Sequence, residues 1–204
     1  MTFLSQILSV SAARHSHLCP RQVLGARIGL AGAAALGLEI PRKDKRLLVI
    51  IETDGCFADG VEAATGCTVG HRTLRTEDYG KIAATFVDVE TEQALRVSPQ
   101  LDVRQRAFEY AKNESRHYFV QLRAYQVMPD EQLLTIQPVC LSKPVEKIVS
   151  RAGLRVNCEL CGEEIINERE IVLNGQILCH TCAFSGYYLS SAEIPIPVSQ
   201  HCSA

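Results

Sequence analysis

Along the first 150 residues, apolar side chains recur now at helical intervals and now in short unbroken runs, and the alternation between the two predicts a mixed set of helices and strands. Phe3, Leu4, Ile7 and Leu8 fall at helical spacing and predict a short amphipathic helix packed on the core. Pro20 suits the first position of a second helix, which places Cys19 at its N-cap and runs on through the Gly- and Ala-rich residues 23–38. Gly25, Gly29 and Gly32 give that helix a thin surface for close backbone approach, so it reads as a buried central helix. The glycine spacing does not satisfy a dinucleotide fingerprint, and no strand precedes it.

Residues 47–51 form a continuous apolar run, the pattern of a buried strand. A turn rich in Asp and Gly then delivers Cys56 to the strand end, a helix is predicted over 58–65 with Gly66 closing it, and residues 82–89 read as a strand. Ser98-Pro99 reads as an N-cap and first-position pair opening a helix to about residue 113. Residues 116–127 fit a helix or a strand, Pro129-Asp130-Glu131 a short helical turn, and 134–139 a strand. The fold class is therefore α+β, a mixed sheet packed with helices.

Residues 141–155 read as a linker, although 145–149 can extend a helix, and the boundary is placed near 150. Beyond it, residues 151–190 carry two Cys-x-x-Cys pairs, Cys158 with Cys161 and Cys179 with Cys182, separated by seventeen residues. Two residues between cysteines let the chain fold back so that both sulfurs face one ion, and Gly162 supplies permissive backbone for the turn. Asn174-Gly175 between two short apolar runs is a strong hairpin signal, and a hairpin returns the second pair to the first. The expectation is a zinc-ribbon appendage with four thiolates on a structural Zn; Fe in the same ligand set, or redox thiols, are the alternatives. The tail over 191–204, with two Ile-Pro steps, reads as extended.

Hydrophobic residues make up 47% of the 204 and charged residues 22%, so a packed core is expected rather than disorder. A net charge of -2 lacks the electrostatic footprint of a nucleic-acid binder, and the ribbon itself is acidic, so nucleic acid is not an expected partner. Nine cysteines arrive as close pairs and as singles beside His, Gly and Asp, not as a disulfide framework, which favours a reducing compartment. Residues 2–10 lack the basic flank of a signal peptide and no run reaches about 18 apolar residues, so the expectation is a cytoplasmic protein without membrane contact.

His15, His17 and Cys19 alternate along the chain, and in an extended segment all three point to one side. With Cys56 they make a candidate imidazole–thiolate site whose softness suits Zn or Fe, and with three protein ligands it keeps an open position. The competing reading is a solvated His pair and two core cysteines. A thiol at the N-cap of the second helix also feels the positive end of its dipole, which favours a reactive thiolate.

His15-Ser16-His17-Leu18-Cys19-Pro20 with Gly25-Ala26-Arg27 resembles the opening block of the FmdE family of formylmethanofuran dehydrogenase proteins. Asp54-Gly55-Cys56-Phe57-Ala58-Asp59, Thr65-Gly66-Cys67-Thr68-Val69-Gly70 and Asp78-Tyr79-Gly80-Lys81 are similar to its next three blocks, in the same order. Ser16 and Arg21 depart from it, standing where the pattern has Gly. The resemblance implies an α+β domain, often paired as a homodimer, with a pocket at the His-x-Cys segment and the strand-end Cys. It makes His17, Cys19 and Cys56 candidates for metal or catalytic roles, with His15, Asp59, Cys67 and Lys81 nearby. It does not bring a pterin-bound metal with it. The resulting expectation is a metal-binding accessory protein or small redox-linked enzyme of one-carbon or molybdoenzyme metabolism. The alternative is a non-enzymatic ligand sensor or protein-docking module that uses the ribbon as its interaction element.

Overall fold

The computed structural model describes residues 2–14 and 17–188, which divide into two units, one ending at Val145 and the other starting at Glu146. The first unit is α+β. Its elements run α1 (Phe3–Ala12), α2 (Pro20–Ala35), β1 (Leu47–Ile51), α3 (Cys56–Thr65), β2 (Leu74–Thr76), β3 (Ala84–Asp88), β4 (Ala94–Pro99), α4 (Val103–Tyr110), α5 (His117–Val127), α6 (Asp130–Leu133) and β5 (Leu134–Pro138), with α7 (Val145–Val149) at the division. The strands form one sheet in the order β2-β1-β3-β4-β5, in which β1 and β2 are parallel and every other pair is antiparallel. No described helix is long and apolar enough to cross a membrane.

The central helix is α2, which packs on β3 and β4 and against α1, α3 and α5. Its small residues serve that packing. A Cβ on Gly25 would lie 2.3 Å from the Phe57 carbonyl oxygen, one on Gly60 would lie 2.2 Å from the Gln22 carbonyl oxygen, and one on Gly32 would enter the Phe86 ring. Gly25 faces residues 57–61 and Gly29 faces 61–65, so α2 and α3 run parallel with their backbones in contact.

Two charged groups in and near this core are closely paired. Arg27 donates to the Tyr125 carbonyl at 2.8 Å and the Met128 carbonyl at 2.6 Å, both in the last turn and C-cap of α5, and forms a salt bridge with Asp130 at 2.7 Å. Carbonyls at a helix end lack partners within the helix, and the guanidinium supplies them. At the far end of β3, the buried Asp88 accepts a bidentate pair from Arg46 at 2.9 and 2.8 Å and further bonds from the Thr91 hydroxyl and the Glu90 N–H. Those donors, the Arg46 guanidinium first, hold the Asp88 carboxyl far below its usual range.

Two sequence expectations need correction. Ser98 and Pro99 do not open a helix; they end β4, where Ser98 pairs with Thr135 and Pro99 with Leu134 of β5, and α4 begins only at Val103. Pairing with β5 outweighs a local capping signal there, and a proline at the last strand position forfeits no interior ladder bond. The helix predicted from residue 58 starts at Cys56 instead, because Gly55 takes φ 70° and turns the chain two residues earlier. Strand β2, three residues between two loop-like blocks, had no periodic signal to reveal it. Residues 116–127 resolve as helix α5.

The second unit contains β6 (Arg155–Asn157), β7 (Glu164–Ile166), β8 (Ile171–Leu173), β9 (Gln176–Leu178) and α8 (His180–Ala183). β6 and β7 form one hairpin and β8 and β9 another, the latter turning on Asn174 and Gly175 at φ 52° and 82°. The predicted extended tail lies outside the described residues.

Two outcomes check this account. Gly60→Ala should lower stability by about 2–3 kcal/mol in thermal unfolding because the new methyl has backbone, not a movable side chain, in its way, whereas Gly70→Ala, with open space around it, should change little. Asp88 has a depressed folded-state pKa, so its contribution is complete above the unfolded value of 3.8 and disappears as pH falls below it. Asp88→Asn should therefore cost about 2–4 kcal/mol at neutral pH and flatten the loss of stability in acid titrations followed by circular dichroism.

Candidate functional site

The parallel contact between α2 and α3 brings their N-terminal ends to the same place. Cys19 is the N-cap of α2 and Cys56 the first residue of α3. Cys19 closes a capping box: its N–H donates to Gln22 Oε1 at 2.7 Å, and Gln22, fully buried, also donates to the Ser11 carbonyl at 3.0 Å. The side chains of Cys19 and Cys56 line the same pocket, and the Cys19 sulfur bears on the charge of Cys56. Burial pushes the Cys56 thiol up, and the neighbouring Cys19 adds to the effect.

Both cysteines line a pocket of about 870 Å³, whose walls also include Leu24, Ile82, Tyr118 and Tyr125. Tyr118 projects from α5 and donates to the Leu18 carbonyl at 3.1 Å, and its phenol is raised by burial and by the two cysteines. Arg21, Lys81 and Arg104 line the same space. The loop bearing Lys81 is tethered to the end of β1, where the Glu52 carbonyl accepts the N–H groups of Tyr79 at 2.9 Å and Lys81 at 3.1 Å.

Of the residues singled out in the sequence, Cys19, Cys56 and Lys81 meet at this pocket. His17 is exposed and, among the described residues, is not part of a group of three or more ligand atoms lying within 4.8 Å of one another with Cys19 and Cys56. His15 lies outside the described residues. Cys67 is fully buried beyond the end of α3, where its thiol donates to the Leu47 carbonyl at 3.4 Å, and burial pushes that thiol up. Asp59 sits 3.9 Å from the Arg14 guanidinium. Arg104, Gln121, Tyr118 and Tyr125 escaped sequence reasoning because α4 and α5 carry no motif; only their sharing one pocket marks them.

Chemically, two adjacent thiols at two helix N-termini offer soft ligands to a transition metal, or a nucleophile with a second sulfur beside it. The pocket falls within the range that takes small organic ligands.

In the second unit the ligand atoms of Cys158, Cys161, Cys179 and Cys182 all lie within 4.8 Å of one another. The first pair occupies the turn between β6 and β7, and the second opens α8, so a helical turn rather than a second knuckle presents it. The Cys158 sulfur accepts the Cys179 N–H at 3.2 Å, the Cys179 sulfur accepts the Cys182 N–H at 3.4 Å, and Cys161 and Cys179 sulfurs are 3.9 Å apart. A tetrahedron with Zn–S bonds near 2.3 Å has sulfur–sulfur edges of about 3.8 Å, so the donor set and its spacing fit such an ion. Backbone N–H groups bring the Cys158 thiol down to about 6, while the thiols around Cys182, Cys179 first, push it up to about 12. All four can be thiolates together only with a cation among them; the cluster can hold a metal such as zinc.

Residues 14–138 match the family described as FmdE, molybdenum formylmethanofuran dehydrogenase operon. The chain belongs to that family. A protein of Archaeoglobus fulgidus described as a probable S-adenosyl-L-methionine-binding protein is 35% identical over 97 residues, which are 46% of this chain and 26% of that protein. The chain thus spans about a quarter of that relative. The crystal structure of an FmdE-like protein of the tungsten formylmethanofuran dehydrogenase type, from Syntrophus aciditrophicus, aligns with a TM-score of 0.57 over 91% of this chain and 95% of the other, at 23% identity, a likeness of fold.

The burial of Cys67 separates it from the other two first-unit cysteines experimentally. Cys67→Ala should cost about 1–2 kcal/mol through its lost bond and small cavity while leaving metal content unchanged, as read by thermal unfolding and elemental analysis of the same samples.

Proposed function

We propose that the protein is a metal-binding accessory protein, or small redox-linked enzyme, of one-carbon or molybdoenzyme metabolism with two unlike sites. The observation that carries this reading is the meeting of Cys19 and Cys56 on the wall of an open pocket. Two thiolates there, joined by His17 or His15 from the segment before α2, would hold Zn or Fe and leave a position for a ligand. The four-cysteine cluster of the second unit would hold Zn in a closed site, with no position for chemistry, and its work is to keep that unit folded. If the first site is catalytic, Cys19 or Cys56 acts as ligand or nucleophile and His17 as ligand or general base.

Family membership over residues 14–138 supports the metabolic setting. The binding named for the A. fulgidus protein is not carried over, since the chain matches only 26% of that protein. A docking role for the ribbon is the second reading, favoured by Leu160, Val172 and Phe184, which stand exposed on that unit. It fits a cytoplasmic protein that works as a homodimer or with a protein partner.

Elemental analysis tests the two-site reading. Two metal equivalents per chain are expected, one lost in Cys158→Ser/Cys161→Ser and the other in Cys19→Ser/Cys56→Ser. A single equivalent that vanishes with the first pair of substitutions, and nothing that responds to the second, would sink it.

A further inference from the structure

The pocket that receives Cys19 and Cys56 has a one-sided charge. Arg21, Lys81 and Arg104 line it, and among the described residues no aspartate or glutamate does, in a chain where acidic residues outnumber basic ones by 23 to 21. Two carboxylates beside these cations are engaged by other arginines. Asp102, at the start of α4 beside Arg104, is bound by Arg106 at 2.8 Å. Glu52, whose backbone carbonyl anchors the Lys81 loop, is held by Arg96 through a two-pronged pair at 2.5 and 2.7 Å. Arg14, Arg27, Arg46, Arg96 and Arg106 each have a carboxylate within salt-bridge distance, whereas Arg21, Lys81 and Arg104 have none among the described residues.

Three unneutralised cations converging on one concave space raise its potential well above that of a flat surface, because the low-dielectric walls focus the field. The N-terminal ends of α2 and α3 add partial positive charge in the same direction. Leu24, Ile82 and Tyr125 offer apolar wall in the same pocket.

We propose that this pocket binds an organic anion of two or more negative charges, its carboxylate, phosphate or sulfonate groups held by Arg21, Lys81 and Arg104 and its apolar body lying against Leu24 and Tyr125 toward the thiols. The assignment rests on the first-unit site proposed above and names the class of ligand that site takes. Guanidinium groups pair with such oxyanions in two-pronged fashion, which fixes orientation as well as affinity.

Inorganic phosphate serves as probe, followed by the line width of its 31P resonance with the full chain as purified. Wild type should broaden the line saturably, and Arg21→Gln/Arg104→Gln should weaken that binding about ten-fold or more, as expected for loss of two charge-assisted contacts; added salt should act in the same direction. Circular dichroism of the variant establishes that it is folded, and Lys81→Gln alone, on a surface loop, provides an independent third arm. No broadening by wild type, or broadening that the charge-neutral variants leave unchanged, overturns the proposal. Broadening that survives Arg21→Gln/Arg104→Gln but is lost in Cys19→Ser/Cys56→Ser assigns the phosphate to a thiolate-bound metal, which overturns this proposal and leaves the two-site reading standing. Broadening lost with the arginines but kept without the cysteines supports the anion pocket even where elemental analysis finds no first-unit metal.

Discussion

Everything in the first unit depends on how closely α2 and α3 approach. Their backbones touch because neither Gly25 nor Gly60 has a side chain to hold them apart, and the helices lie parallel. Parallel neighbours put both N-terminal ends on one side, an electrostatically unfavourable choice for two aligned dipoles in isolation. Burial of α2 against the sheet and against α1, α3 and α5 outweighs it. The electropositive end created in this way is where the two cysteines and three cations gather. Packing and site chemistry are therefore one arrangement seen from two sides.

Much of the fold was legible because several signals agreed at the same residues. Pro20 and the small residues after it marked a central helix, and the run of residues 47–51 matched a strand buried on both faces. Four ordered blocks of residues pointed to the family that residues 14–138 match. Legibility failed where tertiary pairing overrode a local signal, as at Ser98 and Pro99, and where an element was too short to show a period, as in β2. It failed again for the pocket wall. Nothing in the sequence around Arg104 or Tyr118 distinguishes them from ordinary surface residues of a helix, because what matters is the absence of a neighbouring carboxylate in space.

The two cysteine groups show how one residue type answers to different surroundings. Cys158, Cys161, Cys179 and Cys182 stand close enough for one ion, with backbone N–H groups turned toward the sulfurs. Cys67 is wholly enclosed and behaves as a small apolar residue with one weak bond. Cys19 and Cys56 are between these extremes, near each other and open to a cavity. Spacing revealed the first group, and only the packed structure separates Cys67 from the pocket pair.

Cys19 has a further consequence. The residue whose sulfur faces the pocket also closes the first turn of the most deeply packed helix, and through Gln22 it is tied to the Ser11 carbonyl in α1. A bond formed at that sulfur pulls on the residue whose N–H Gln22 Oε1 accepts. Occupancy of the pocket and fraying of the α2 end are thus linked equilibria: what binds at the thiol shifts the opening of the helix, and what loosens the helix shifts the affinity of the thiol by the same factor. The centre of the core reports on the chemistry at its rim.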